Sequence, residues 1–158
     1  TRLLDVHFVN NDGHGISATG NAMVSMRGGS VDGSSGAGID SQSSVLNLRD
    51  VLIMSSMGSG IHALMSQITI TGETQIFSND IHGVHANLHS SVLIDGPVVI
   101  TNNDIFGIRV EYASGLLTFG PIEIYGNGEF DAICGDSESS AVFTDSLPGT
   151  ILCSDYDW

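Results

Sequence analysis

The sequence predicts an all-β parallel solenoid of about six coils, and three observations predict it. A Gly-Ile step recurs along the chain: Gly15-Ile16, Gly38-Ile39, Gly60-Ile61, Gly83-Val84, Gly107-Ile108 and then Ala132-Ile133. The branched residues stand at 16, 39, 61, 84, 108 and 133, so successive spacings are 23, 22, 23, 24 and 25. Four residues before each glycine stands a small polar residue: Asn11, Ser34, Ser56, Asn79 and Asn103, with Asn127 holding that place, one residue further off, in the last copy. Helix-forming runs are sparse, and short Val/Ile/Leu stretches alternate with Gly, Ser, Asn and Asp, the grammar of strands and turns.

Each unit divides into three short stretches of period two, separated by tight bends. The first begins at the Gly-Ile step. The second carries alternating apolar pairs: Leu46 and Leu48, Ile68 and Ile70, Val92 and Ile94, Leu116 with Thr118. The third carries Phe8, Val31, Ile53, Ile76, Ile100 and Ile124, three residues before the polar position. Equivalent inward residues then stack roughly 4.8 Å apart and bury apolar surface continuously, which no single coil achieves. Glycine before the column suits a close backbone approach or a positive φ. Asparagine tolerates left-handed backbone and hydrogen-bonds up a column of its own kind.

The units Asn79-Asp80-Ile81-His82-Gly83-Val84 and Asn103-Asp104-Ile105-Phe106-Gly107-Ile108, each preceded by a strand such as Pro97-Val98-Val99-Ile100, resemble the repeats of the pectate-lyase-like superfamily. The likeness runs from about Leu3 to Cys153. It implies a right-handed, single-stranded parallel β-helix with three short strands per coil. It says little of function, because that superfamily holds polysaccharide lyases, glycoside hydrolases, epimerases, tailspikes and adhesins. The chain is expected to be one domain, residues 1–158, with 131–158 as a C-terminal cap. That cap contains Cys134, Cys153, Pro148 and the acidic Asp155-Tyr156-Asp157-Trp158 end. A Cys134–Cys153 disulfide is expected there, with two buried thiols as the alternative.

Composition removes several functions. The chain has 4 Lys+Arg against 18 Asp+Glu, a net charge of −14, and all four cations are arginines. Such a chain is a poor binder of nucleic acid and other polyanions. No apolar run is long enough to span a bilayer as a helix. No signal peptide opens the chain, which reads as a mature or trimmed form. Acidic, lysine-free, Ser/Gly-rich composition points to a secreted or cell-surface setting.

Outward residues form ladders as inward ones do. The position after the Ile column reads Ser17, Asp40, His62, His85, Arg109, Cys134, and two further on Thr19, Gln42, Leu64, Asn87, Glu111, Asp136. Asp40, His62, His85, Arg109 and Glu111 would then share one face. His62 and His85 stand at a separation that a divalent metal bridges, and with a carboxylate nearby they suit general acid–base chemistry. The same column serves equally as a plain polar ladder. A second ladder, after the Asn column, places Asp80 beside Asp104; paired carboxylates suit a glycosidase or a Ca²⁺ ion, and Asp after Asn also suits a turn. The third stretch turns Leu52, Met54, Phe77, Val99 and Tyr125 outward, an apolar stripe that marks a partner surface unless the phase slips by one residue.

The expected function is therefore an extracellular structural or adhesive domain, non-catalytic, that associates with a second copy, end to end or laterally, or contacts a glycan or cell-surface partner. No cofactor is expected, Ca²⁺ being the one ion the paired acids suit. The first alternative is a polysaccharide hydrolase or epimerase using the stacked carboxylates. The second is a carbohydrate-binding module using Tyr112, Phe119 or Tyr125 as stacking platforms.

Overall fold

The computed structural model describes residues 1–143 and the backbone of 151–152. Every regular element in that range is a strand, as the short branched runs dictate. The chain begins with β1 (Arg2–Val9), β2 (Ile16–Thr19) and β3 (Met23–Asp32). Next come β4 (Ile39–Gln42), β5 (Val45–Arg49), β6 (Leu52–Met54), β7 (Ile61–Leu64), β8 (Gln67–Thr71) and β9 (Gln75–Phe77). The later coils contain β10 (His82–Asn87), β11 (Ser91–Asp95), β12 (Val98–Thr101), β13 (Phe106–Val110), β14 (Gly115–Phe119) and β15 (Ile122–Tyr125). The last elements are β16 (Phe130–Cys134), β17 (Ser140–Phe143) and β18 (Ile151–Leu152).

All pairings are parallel, and each strand pairs with its counterpart one repeat away. The result is a β-solenoid of about six turns with three faces. The first face runs β2-β4-β7-β10-β13-β16-β18. The second runs from β3 through β5, β8, β11 and β14 to β17, and the third from β3 through β6, β9 and β12 to β15. The long β3 and its partner β1 serve both of these faces, which is why they form one eleven-stranded sheet.

The interior is the set of columns the spacing predicts. On the third face Val31, Ile53, Ile76, Ile100 and Ile124 lie in register and are buried. On the second, Leu46/Leu48, Ile68/Ile70 and Val92/Ile94 do the same. On the first, Ile16, Ile39, Ile61, Val84 and Ile108 align, but the last member is corrected. Ile108 pairs with Ala132, and Ile133 pairs with Arg109. Asp131 takes the glycine's place, so the true last spacing is 24 (132 − 108), and Ile133 belongs to the outward ladder. The outward position assigned to Cys134 is corrected with it: Cys134 pairs with Val110. Its expected disulfide partner Cys153, and 144–150 and 153–158 of the cap, lie outside the described residues.

Polar ladders run beside the aliphatic ones. The Asn103 side chain donates to Asn127 Oδ1 at 3.0 Å, and Asn79 donates to Asn103 Oδ1 at 2.9 Å. The same oxygens also accept the backbone N–H of the preceding coil. At the corner between the first and second faces, Ser66, Ser90, Ser114 and Ser139 each accept the N–H of the serine one coil before. Glycine is demanded where coils touch: a Cβ at Gly83 would stand 2.5 Å from Ile100 Cγ2 and 2.6 Å from the Gly107 carbonyl.

Candidate functional site: a paired histidine–carboxylate ladder on the first face

The first-face register brings Ser17, Asp40, His62, His85 and Arg109 into one line, as the sequence predicts. Their placement follows from alternation: Ile39, Ile61, Val84 and Ile108 point into the core, so the next residue points out. Yet the carboxylates of this face, Asp40 in the line and Glu111 two positions beyond Arg109, are withdrawn from solvent. Asp40 is 3% exposed and Glu111 8%.

Both buried carboxylates are paired, as burial of charge requires. Asp40 Oδ1 meets His62 Nδ1 at 2.9 Å, and Asp40 Oδ2 accepts from Gln42 Nε2 at 2.9 Å. Glu111 Oε1 meets His85 Nε2 at 2.9 Å, while Oε2 accepts from Arg109 Nε at 2.7 Å and forms an ion pair with its Nη2 at 2.6 Å. A carboxylate only accepts, so the shared proton sits on each imidazole. His62 thereby donates through Nδ1 and His85 through Nε2.

The two pairs touch. The His62 and His85 rings are 5.2 Å apart, and His82 meets His85 edge-on at 5.1 Å. His82 stacks on Phe106 at 5.0 Å, Phe106 on Phe130 at 6.1 Å, and Arg109 lies over Phe106 at 5.5 Å. Burial holds His82 down at about 3, helped by the neighbouring His85, Arg109 and His62 charges. Burial also lowers His85, against the raising effect of Glu111. Both rings are therefore neutral at pH 7. His82 Nδ1 is buried without a hydrogen-bond partner.

This arrangement can orient an imidazole as a base, in the way a carboxylate fixes a histidine in many hydrolytic sites. It does not gather a metal set: among the described residues no group of three His, Cys, Asp or Glu side chains is disposed around an ion. Asp80 and Asp104 are not part of the ladder. They lie on the corner before the first face, both exposed, and neither side chain makes a hydrogen bond or ion pair among the described residues.

On the third face, Met54, Phe77, Thr101 and Tyr125 form one outward ladder, and Leu52, Gln75, Val99 and Glu123 the next. The expected stripe is thus two ladders, one interrupted by Thr101 and the other carrying Gln75 and Glu123. Sequence reasoning missed a second apolar patch. Leu93, Leu117 and Val142 align outward on the second face, with Phe119 beside them. Leu117, Phe119 and Val142 are all exposed. Its signal was the outward parity of the second stretch, legible once Leu116 and Thr118 are assigned inward.

No helix among the described residues is long and apolar enough to cross a membrane. Comparison with protein-family models, curated proteins and solved structures finds no match. What the chain is, on these findings, is a parallel β-solenoid whose first face holds two histidine–carboxylate pairs.

Proposed function

We propose that this chain is a right-handed β-helix domain of the pectate-lyase-like kind, secreted or displayed at a cell surface. It works without catalysis, by laying its sheet faces against a second copy of itself. The observation that carries this reading is the outward apolar patch of the later coils on the second face, Leu93, Leu117 and Val142 with Phe119 beside them, together with the apolar members of the third-face ladders. Leu117, Phe119 and Val142 are exposed on the second face, and Tyr125, at the far end of β15 from the Gly120-Pro121 corner, is exposed on the third. Exposed apolar patches of this kind are costly in water unless a partner covers them. The first face supports the same reading from the other side, since its buried acids are already satisfied by histidine and arginine.

Sedimentation equilibrium over a wide concentration range tests this. Association that grows with concentration is expected, and salt should strengthen it by screening the −14 charge of each copy. A strict monomer at high concentration and high salt overturns the reading.

One observation favours a second reading, an enzyme acting on a neutral glycan: Asp40 orients His62 through Nδ1, which leaves Nε2 outside the pair. Asp80 and Asp104 would supply the acid pair of that reading, or hold Ca²⁺. A glycan screen with wild type, His62→Gln and Asp104→Asn separates the two: turnover lost in a variant supports the enzyme. A glycan-binding module, with Tyr112, Phe119 or Tyr125 as platforms, predicts binding without product.

A further inference from the structure

Three of the four arginines stand together. Leu4, Arg27, Arg49, Thr71 and Asp95 form one outward ladder on the second face, and Arg2 sits two residues before Leu4 on β1. Arg27 and Arg49 are direct neighbours on adjacent strands, about 4.8 Å apart in the ladder. Like charges placed so repel. In a chain with 18 carboxylates, such neighbours have ample scope for neutralisation. Only Arg49 is neutralised, by Asp50 at 3.4 Å. Arg2 and Arg27 make no ion pair or side-chain hydrogen bond among the described residues.

These two open onto a surface pocket of about 450 Å³ lined by Arg2, Leu4, Asp5, Arg27, Gly28 and Asp50. Of the two acids in that lining, Asp50 is occupied. Asp50 bonds Arg49 and accepts the Glu73 N–H at 3.0 Å. Asp5 turns the corner in left-handed backbone, φ 47°, and lies against Gly28 where a side chain would otherwise stand. Against the one carboxylate of Asp5 the pocket thus sets the two guanidiniums of Arg2 and Arg27, whose planar fork fits the oxygens of a carboxylate, sulfate or phosphate group.

We propose that Arg2 and Arg27, backed by Arg49, form a binding site for a single oxyanion group on a small ligand. A polyanion does not suit it, because the ladder carries Asp95 two coils beyond Arg49 and the whole chain is strongly acidic. The site stands apart from the first-face ladder and does not depend on the assembly reading.

The test uses the small number of arginines. Their four Nε–H signals are followed by NMR while sodium sulfate or sodium acetate is added, with sodium chloride at matched ionic strength as reference. The Arg27 and Arg2 signals are expected to move and saturate with sulfate or acetate, while Arg109, held by Glu111, stays still. Tighter sulfate assigns a sulfuryl or phosphoryl ligand, and tighter acetate a carboxylate; either supports the site. Arg27→Gln, an exposed change, should weaken binding at least about tenfold, the loss of one charged hydrogen-bonding partner. Shifts that grow linearly, that chloride reproduces, or that survive Arg27→Gln unchanged overturn the proposal.

Discussion

The first and third faces share their inward architecture and differ in what they turn outward. Behind both stand columns of Ile and Val stacked coil on coil. Outward, the first face sets Asp40 with His62 as one pair, and Glu111 with His85 and Arg109 as a triad. The third sets Met54, Phe77 and Tyr125 in line, with Leu52 and Val99 alongside. The solenoid fixes the inside by shape, and the outside is free to differ. Function therefore has to be sought in the outward ladders, and stability in the inward ones.

That division predicts a graded series. Ile76→Ala removes an interior member between Ile53 and Ile100 and should cost about 2–5 kcal/mol in denaturant unfolding, because neighbouring coils cannot close the gap. Asn103→Ala comes next. It leaves the Asn79 amide and its N–H without the oxygen they share, and about 1–3 kcal/mol of stability should go. An interior variant that proves neutral would break the comparison.

The histidines sharpen it on the first face. Free histidine takes a proton near 6.5, whereas folded His82 does so only near 3, and His85 is lowered in the same direction. The unfolded chain thus binds more protons between those values. Stability contributed by neutral His82 is complete above about pH 6.5 and is lost as pH falls toward 3, by at most about 1.4 kcal/mol per pH unit for each such group. His82→Phe, which keeps the stack on Phe106, should flatten the acid limb of a stability–pH curve. An unchanged acid limb contradicts the neutral buried ring.

The smallest stability effect belongs to the apolar outward surface. Phe119→Ser should change unfolding by no more than about 0.5 kcal/mol, since the ring is 44% exposed. It should weaken self-association measured by sedimentation. A large loss of stability would mean the ring is packed within the fold rather than offered to a partner.

How far the sequence carries is itself a matter of which side of the strand is read. Residues at 31, 53, 76, 100 and 124 are alike because stacking demands like shapes, so the period is written in their identities. The last coil misleads because Ile133, outward, is more aliphatic than the inward Ala132. The closeness of Asp40 to His62 follows from the column, but its burial does not, since a ladder position alone does not say how much water reaches it. The bond between His85 and Glu111 spans one coil and two positions, and needs rotamers that spacing does not give. The Ser66-Ser90-Ser114 ladder escaped notice because serine is common in any loop and carries no distinctive shape.

The central claim is that residues about two dozen positions apart lie directly over one another in a dry column. Methyl–methyl nuclear Overhauser contacts on a protein labelled at isoleucine test it most directly. The account predicts contacts from Ile53 to Ile76, Ile76 to Ile100 and Ile100 to Ile124, with none between Ile53 and Ile124. Absence of those three contacts, or their replacement by a pattern displaced by one residue, would contradict it.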